Sequence, residues 1–402
     1  MEERLIIDVL KKWNIWEKPI NTGIKRPKYI EHIYPYLERK EILVLKGIRR
    51  SGKSTLLKQL MLELIASGVD KMHLLYLNLE DYNFTNDLTV TLFDAVLTAY
   101  RNYAHHEGRI FFFIDEIQTI PGWEKWIRTK YDLQEPIKFI VTGSSASLLS
   151  REFSTLLTGR NISFTIHALS FQEFLMFSKT HSLEEYLLYG GFPEVVLEPV
   201  QEKKMVLLEQ YFEDIIHKDI ISRYAIRNTK QLIDIARYII STAGSKVSFN
   251  KLSKVFGISK DTIAQYIAYM VDAFLLFEVT YFSYSTKIRH DVTKLPKFYA
   301  SDNGLINAVH ISQNQGQLFE NAVAIKLSAQ SDDIHYWSAL TSEVDFIVDR
   351  VAINVTATNT PHEREQNGLE EFRKKHRNVT TLIITKSVTN GNMLALADFL
   401  AS

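Results

Sequence analysis

The sequence predicts an α/β protein that begins with a parallel β-sheet, and two patterns in residues 1–170 lead to this fold class. Short runs of apolar, β-branched or aromatic residues recur, and stretches with helical periodicity, such as Ser54–Ala66 and Leu88–Ala104, separate most of them. Near-continuous apolar strands that alternate with helices are typical of a parallel sheet covered on both faces. The predicted strands are Ile42–Lys46, Leu74–Leu79, Ile110–Ile114, Lys138–Thr142 and Ile162–His167.

The strand pattern stops near Leu169, and helices are predicted at Phe171–Phe177, Leu183–Leu188 and Lys203–Ile221. A different pattern follows. Two helices separated by a tight turn precede an apolar strand and a basic, strand-like segment that runs to Tyr299, which is the pattern of a winged helix-turn-helix. Its predicted elements are Lys246–Phe256, Lys260–Phe274 and Leu276–Phe282.

The last hundred residues again mix helices and strands. The predicted order is helix Gly316–Leu327, strands His335–Ser338, Glu343–Val348 and Ala352–Ala357, helix Glu363–His376, strand Thr380–Thr385 and helix Met393–Leu400. The sequence therefore predicts four parts, at residues 1–168, 169–230, 231–300 and 301–402.

Composition narrows the classes of function. The chain has 402 residues, 47 basic and 47 acidic side chains, and no cysteine. Zero net charge excludes a chain-wide basic field, so nucleic acid would have to bind local patches. The lack of cysteine excludes disulfides, thiolate metal sites and a cysteine nucleophile. No apolar run approaches the roughly 18 residues that span a bilayer. We expect a cytoplasmic protein without a membrane partner.

A phosphate-binding loop follows the first predicted strand. Residues 47–54, GIRRSGKS, fit the pattern G-x-x-x-x-G-K-[ST] and open a helix. Glycines let backbone N–H groups surround phosphates, and a helix N-terminus favours negative charge. The motif predicts ATP as ligand, with Lys53 at the β- and γ-phosphates and Ser54 on Mg²⁺. The predicted ATP contacts are Gly47, Arg50, Ser51, Gly52, Lys53, Ser54 and Thr55.

Two acids end the third predicted strand. Carboxyl ends of parallel strands meet at the edge where the phosphate loop lies. We therefore expect Asp115 to bind Mg²⁺ through a water molecule and Glu116 to polarise the attacking water. The next strand ends at residues 141–145, VTGSS. Ser144 there either touches the γ-phosphate or the water, or caps a helix. Arg160 either satisfies a helix C-terminus or reaches, as an arginine finger, the ATP of a neighbouring subunit.

With these motifs the chain resembles the AAA+-type P-loop ATPases, and specifically a large archaeal and bacterial family that carries a C-terminal domain of unknown function. The resemblance extends from about residue 25 to 385. It implies an AAA+-like sheet, a helical lid, a winged helix and a restriction-endonuclease-like C-terminal domain. It further implies Arg160 as the finger, Ser144 as a sensor and Pro193, in Gly191–Pro193, as part of a nucleotide-sensing element. The supporting segments include FFFIDEIQ (111–118), LSFQEF (169–174), YGGFPEVV (189–196), SDNGL (301–305), FENAVAIKL (319–327) and EVDFIV (343–348).

The chain departs from the metal-binding pattern of the restriction-endonuclease-like domain. That pattern needs a helix glutamate, an aspartate and then Glu-x-Lys on the next strand, where alternate side chains share a face. Glu320 and Asp345 are present, but Asn354 and Thr356 stand where the pattern has Glu and Lys. A metal could still bind weakly between Glu320 and Asp345, but we expect no nuclease activity. We interpret this domain as a nuclease fold retained for binding or assembly.

The segment after the helix-turn-helix is basic, which favours sequence-nonspecific DNA contacts through phosphates over a protein-binding winged helix. The leading hypothesis is thus an ATP-hydrolysing, ring-forming oligomer, a hexamer for example, that acts on DNA as a motor or remodelling factor. The alternative is a nucleotide-dependent regulatory switch whose winged helix and C-terminal domain bind a protein partner. The predicted DNA contacts are Lys260, Lys287, Arg289, Lys294 and Lys297.

Overall fold

A computed structural model describes residues 2–104, 108–145, 157, 159–285, 294–309, 314–376 and 378–402. The chain forms two compact units. The first comprises Met1–Gly47 with Gly52–Ile166, and the second comprises Ile48–Ser51 with His167–Ser402. The finer division into four parts stays a prediction.

The first unit is built on a five-stranded sheet in the order β2-β3-β4-β1-β5, and every pair of neighbouring strands is parallel. The predicted α/β class and parallel sheet are confirmed, and each predicted strand agrees with the observed one within two residues at either end. The strands are β1 (Ile42–Lys46), β2 (Leu74–Asn78), β3 (Ile110–Asp115), β4 (Ile137–Gly143) and β5 (Asn161–Thr165).

Both faces of this sheet are covered, which explains why its strands are apolar without alternation. Along β1, Ile42 and Val44 pack into one hydrophobic cluster, whereas Leu43 and Leu45 pack into another on the opposite face. The helices described in this unit are α1 (Glu3–Trp13), α2 (Pro27–Ile33), α3 (Lys53–Ala66), α4 (Val90–Ala104) and α5 (Trp123–Asp132).

The strand order aligns the carboxyl ends that carry the predicted site. Strand β4 lies between β1 and β3, with Lys46 opposite Gly143 and Ile114 opposite Val141. Residues just beyond β1, β3 and β4 therefore meet at one edge.

The second unit begins with helices, among them the two predicted for the helix-turn-helix. The first of these begins at Phe249 and not at Lys246, because Lys246 and Val247 pair with Lys297 and Pro296 instead. Ser248 and Ser259 each accept a hydrogen bond from a backbone N–H in the first turn of the helix they precede, and Gly257 ends the first of these two helices with a φ of +68°. A π-helix, Ile215–Ile221, continues the helix Gln201–Asp214 and is followed by a helical turn, Ser222–Tyr224. The described α-helices up to this point are α6 (Phe171–Phe177), α7 (Leu183–Tyr189), α8 (Pro193–Leu197), α9 (Gln201–Asp214), α10 (Thr229–Ser241), α11 (Phe249–Phe256) and α12 (Lys260–Asp272).

A seven-stranded mixed sheet, in the order β12-β11-β10-β9-β8-β6-β7, forms the rest of the unit. Strand β6 pairs antiparallel with β7 and parallel with β8, so the hairpin after the helix-turn-helix belongs to the same sheet as the C-terminal strands. The strands are β6 (Leu276–Tyr281), β7 (Lys297–Ala300), β8 (Ile334–Ser338), β9 (Glu343–Val348), β10 (Val351–Val355), β11 (Thr380–Thr385) and β12 (Met393–Ala395).

The predicted helix Met393–Leu400 is wrong in its first turn. Met393 pairs with Ile383 of the parallel strand β11, because the sheet edge offers backbone partners that local periodicity does not reveal. The helix there starts only at Leu396. The helices of this region are α13 (Asn303–Val309), α14 (Gln315–Gln330), α15 (Glu363–Lys375) and α16 (Leu396–Ala401).

Candidate functional site

The loop between β1 and α3 requires glycine at two positions. Gly47 has a φ of +148°, and a Cβ atom on it would lie 2.2 Å from the carbonyl oxygen of Ile166. Gly52 has a φ of +93° and immediately precedes the first helical residue. Only glycine adopts both conformations without strain, so the backbone of this loop can approach a phosphate closely.

Lys53 is the first residue of α3 and is almost fully buried. Its Nζ atom donates a hydrogen bond of 3.0 Å to the carbonyl oxygen of Gly47, which bends the side chain back across the loop. Ser54, partly buried, and Thr55, exposed, follow in the first turn. The predicted positions of these three residues at a helix N-terminus thus agree with their placement in the structure.

Asp115 ends β3, and two hydroxyl groups hold its carboxylate. Tyr76 on β2 donates to Oδ2 at 2.6 Å, and Thr142 on β4 donates to Oδ1. Burial, followed by the charge of Asp115, raises the pKa of Tyr76 well above its ordinary value, so this phenol stays a donor. The sequence interpretation missed both partners. Asn78 on β2 lies opposite Asp115 on β3. Because side chains alternate along a strand, Tyr76 lies on the same face of the sheet as Asp115. This placement can be predicted only when the order of the strands is known.

Glu116 follows in a left-handed conformation with a φ of +58°, which is rare for a residue with a side chain and concentrates at functional sites. Its backbone N–H donates to the Thr142 hydroxyl at 3.0 Å, and its carboxylate accepts from Nε2 of Gln118. Gln118 Nε2 also lies 3.5 Å from the hydroxyl of the buried Ser144. The Oε1 atom of Gln118 is buried without a hydrogen-bond partner among the described residues.

The tip of the loop, residues 48–51, groups with the second unit. Arg49 Nε lies 2.8 Å from Oδ2 of the buried Asp219, in the π-helix. Arg50, whose φ is +68°, places a guanidinium nitrogen 3.4 Å from Oε2 of Glu194. Glu194 follows Pro193, the predicted sensing residue and the first residue of α8. Arg50 therefore has a carboxylate partner in this structure.

Arg160 directly precedes β5, and its Nε atom lies 3.0 Å from Oδ1 of Asp132 at the end of α5. About a third of its side chain is exposed. The hydrogen bond with Arg160 holds the pKa of Asp132 below its usual range.

The predicted DNA contacts fall into three groups. Lys260 is exposed at the first position of α12, and Lys294 is partly buried, with its ammonium group 4.3 Å from the centre of the Tyr281 ring. Lys287 and Arg289 lie outside the described residues. Lys297 is only 3% exposed and lies among carboxylates. This placement removes Lys297 from the surface that a DNA phosphate can reach.

No helix in the described part of the chain is both long enough and apolar enough to span a membrane.

Comparison with known proteins gives two domain families. An AAA domain matches residues 39–175, and a domain of unknown function matches residues 180–317. An uncharacterized protein of Methanocaldococcus jannaschii is 30% identical over 376 residues, which cover 86% of this chain and 82% of that protein. An uncharacterized protein of Haemophilus influenzae is 30% identical over 344 residues, covering 81% and 83% respectively.

Among solved structures, one that matches is the Aeropyrum pernix Orc1 protein in complex with DNA. The match covers 72% of this chain and 93% of the Orc1 chain, with 11% sequence identity and a TM-score of 0.33. A likeness at this TM-score supports no structural or functional argument.

Proposed function

The chain belongs to a family of AAA-domain ATPases that archaea and bacteria share, and from this premise we propose that it hydrolyses ATP with Mg²⁺ as an oligomer that acts on DNA. The observation that carries the proposal is the placement of Asp115 and Glu116. The Thr142 hydroxyl contacts both, at the sheet edge where the glycine loop and Lys53 also lie.

The residues present fit ATP and Mg²⁺. Lys53, Ser54 and Asp115 would hold the metal and the terminal phosphates, while the backbone N–H groups of the loop would surround the remaining phosphate oxygens. When bound, Mg²⁺ neutralises phosphate charge that develops during transfer. Tyr76 and Thr142 each donate to one oxygen of the Asp115 carboxylate and so fix its orientation, in which it would act on Mg²⁺ through a water molecule. The proposed nucleotide contacts also include Gly47, Arg50, Ser51, Gly52, Thr55 and Pro193.

Glu116 is the proposed base that orients the attacking water. Its backbone and side chain are both held, by Thr142 and Gln118, so its carboxylate has a defined direction. Ser144, next to Gln118, is the proposed sensor of the γ-phosphate.

Arg160 is the proposed finger, acting on ATP held by a neighbouring subunit in a ring, a hexamer for example. Its position before β5 and its partial exposure support this role. An arginine delivered in trans stabilises charge in the transition state and makes hydrolysis depend on assembly.

DNA is the proposed partner of the second unit, bound without sequence preference. The support is the local basic segment: Lys260 begins an exposed turn of the helix-turn-helix, and Lys294 lies after Lys287 and Arg289 in the sequence. The proposed contacts are with phosphates, which are the same at every base pair and carry no sequence information.

A nucleotide-dependent switch that binds a protein partner is the second candidate. The burial of Lys297 favours it, because one of the five predicted cationic contacts is unavailable to DNA. The ATPase rate, measured with and without duplex and branched DNA, separates the candidates. The motor hypothesis requires stimulation by DNA, whereas the switch hypothesis requires slow turnover that DNA leaves unchanged. A Glu116→Gln protein serves as the inactive control for contaminating ATPases.

A further inference from the structure

Two carboxyl groups of the second unit contact a buried lysine, and the charge of a third carboxyl group acts on the same lysine. Glu343 and Asp345 lie two residues apart on β9, so their side chains leave the same face of the strand. Glu320 comes from α14, and the lysine, Lys297, is the first residue of β7. With Lys246, which contacts Glu343, these residues form what we call the lysine–acid cluster.

Lys297 is the centre of the cluster. Its Nζ atom lies 2.7 Å from Oε1 of Glu343 and 3.4 Å from Oε1 of Glu320, and only 4% of its side chain is exposed. Burial by itself lowers a lysine pKa, but the charges of Glu320, Asp345 and Glu343 outweigh burial and hold the pKa of Lys297 above its ordinary value. The buried side chain is therefore an ammonium ion.

Each acid of the cluster also accepts from a donor other than Lys297. Oε1 of Glu320 also accepts a hydrogen bond of 2.7 Å from the Tyr299 hydroxyl. Oε2 of Glu343 lies 2.8 Å from Lys246 Nζ, and Oδ2 of Asp345 accepts from the backbone N–H of Val355 at 2.9 Å. Each acid thus has at least one oxygen directed at a donor of the protein itself.

The residues do not fit the divalent cation that a restriction-endonuclease-like domain implies. Asn354 uses its amide for structure: Oδ1 accepts from the Asp345 backbone at 3.0 Å, and Nδ2 donates to the carbonyl of Glu365 at 2.8 Å. Thr356 contacts the Thr358 hydroxyl. Over the described ranges, no group of three or more acids or histidines is arranged to hold a metal. A divalent cation among these acids would face the fixed positive charge of Lys297.

We propose that the ammonium group of Lys297 takes the place of a divalent cation in the lysine–acid cluster, so that this domain keeps its acids without binding metal. The ammonium neutralises Glu320 and Glu343 and ties β7 to α14 and β9. Removing it leaves Lys246 as the remaining basic side chain that contacts these acids in the described part of the chain. Without the ammonium, mutual repulsion of the acids is relieved when their side chains rearrange around a hard cation, since oxygen ligands and negative charge are what such cations select.

The test is binding of Mn²⁺ by the full chain without nucleotide, followed by the loss of the free Mn²⁺ electron paramagnetic resonance signal. Every protein carries Asp115→Asn, so that the first unit does not contribute. With Lys297 present, we expect no saturable Mn²⁺ site. Lys297→Ala should bind one equivalent, with affinity at least about tenfold tighter than any binding by its parent, and Mn²⁺ should raise its melting temperature. Adding Glu320→Gln to Lys297→Ala should abolish both effects.

Lys246→Ala is the matched control, because it removes a lysine from the same glutamate but leaves the buried ammonium, and it should gain no Mn²⁺ site. Lys297→Met, which retains the aliphatic stem, replaces Lys297→Ala if the alanine variant unfolds. A folded Lys297 variant that binds no Mn²⁺ overturns the proposal. The proposal is also overturned if the Asp115→Asn protein that retains Lys297 has a saturable Mn²⁺ site and Glu320→Gln removes that site. If neither Lys297 variant folds, the Asp115→Asn protein that retains Lys297 decides the question. Binding of one equivalent of Mn²⁺ that depends on Glu320 refutes the proposal. Absence of such binding supports the proposal.

Discussion

The hydroxyl group of Thr142 donates a hydrogen bond to the Asp115 carboxylate and accepts one from the backbone N–H of Glu116. One side chain on β4 thereby fixes both acids that end β3. Its position depends on β4 lying directly beside β3.

Thr142→Val should weaken Mg²⁺-dependent ATP hydrolysis, because valine keeps the shape of threonine but removes the hydroxyl. Partners of metal ligands typically contribute about 10–100-fold in metal affinity or activity. The measurement is the ATPase rate as a function of Mg²⁺ concentration. Thr142→Ser, which retains the hydroxyl, should stay close to wild type. If the valine and serine variants need the same Mg²⁺ concentration and turn over equally, the hydroxyl has no such role.

Lys53→Ala should abolish ATP binding or nearly so, whereas Glu116→Gln should bind ATP and fail to hydrolyse it. Loss of a base or water-orienting group commonly reduces rates by about 10²–10⁴-fold. Binding of a fluorescent ATP analogue and phosphate release separate the two defects. Wild-type turnover by Glu116→Gln would show that another group orients the water.

Arg160→Ala should leave ATP binding and folding intact and reduce turnover by about 10³-fold or more, as expected for a finger that stabilises transition-state charge. Neither Arg160→Ala nor Glu116→Gln should turn over alone. In mixed rings, a subunit with its own Glu116 receives an intact Arg160 from its neighbour, so part of the activity should return. If Arg160 serves only its helix terminus, we expect near-normal turnover and a stability loss of about 0.3–1 kcal/mol. An absence of rescue, despite proven subunit exchange, rejects the shared site.

Charge reversal at Lys287, Arg289 and Lys294 should weaken DNA binding equally across sequences and flatten its salt dependence, by about one unit of slope for each phosphate that the variant no longer neutralises. Reversal of three exposed lysines of the first unit is the matched control and should have no such effect; these are Lys28, Lys71 and Lys125. Fluorescence anisotropy at several salt concentrations measures both quantities. Unchanged binding at low salt would mean that DNA, if bound, contacts another surface.

Asp302 should make the stability of the second unit depend on pH. Its carboxylate accepts hydrogen bonds from the backbone N–H groups of Gly191 and Gly304, but complete burial raises its pKa from 3.8 to about 7. Between pH 3.8 and about 7 the Asp302 carboxyl group is protonated in the folded protein and ionised in the unfolded protein. The free energy of unfolding therefore falls as pH rises from about 4 to 7, by up to about 4 kcal/mol.

Asp302→Asn cannot titrate and should show a shallower decline over the same range, although the missing hydrogen bond lowers its stability throughout. Part of the decline should persist in both proteins, because burial and the charge of Glu320 also raise the pKa of Asp345 to about 7. Urea denaturation at pH 4.5, 6 and 8 measures the difference. Parallel pH profiles for the two proteins would rule out a role for Asp302 in this dependence.

The parallel sheet and the phosphate loop were predictable from sequence because each depends on short segments of consecutive residues. A strand buried on both faces must be apolar throughout, as Ile42–Leu45 is, and the loop needs glycines and Lys53 at fixed spacing. By contrast, Tyr76 and Thr142 are 39 and 27 residues from Asp115. Their roles follow from which strands are neighbours, and local periodicity carries no information on strand order.

The sequence by itself therefore determined the class of the fold, the position of the glycine loop and the two acids at the end of the third strand. Only the tertiary structure decided which groups hold those acids, and where Lys297 lies. Counted along the chain, Lys297 belongs to a basic segment; in the fold it is the first residue of a fully buried strand beside Glu320 and Glu343. A charged side chain is stable in such an interior only beside groups of opposite charge. Here those groups come from α14 and β9, which lie next to β7 only in the folded chain.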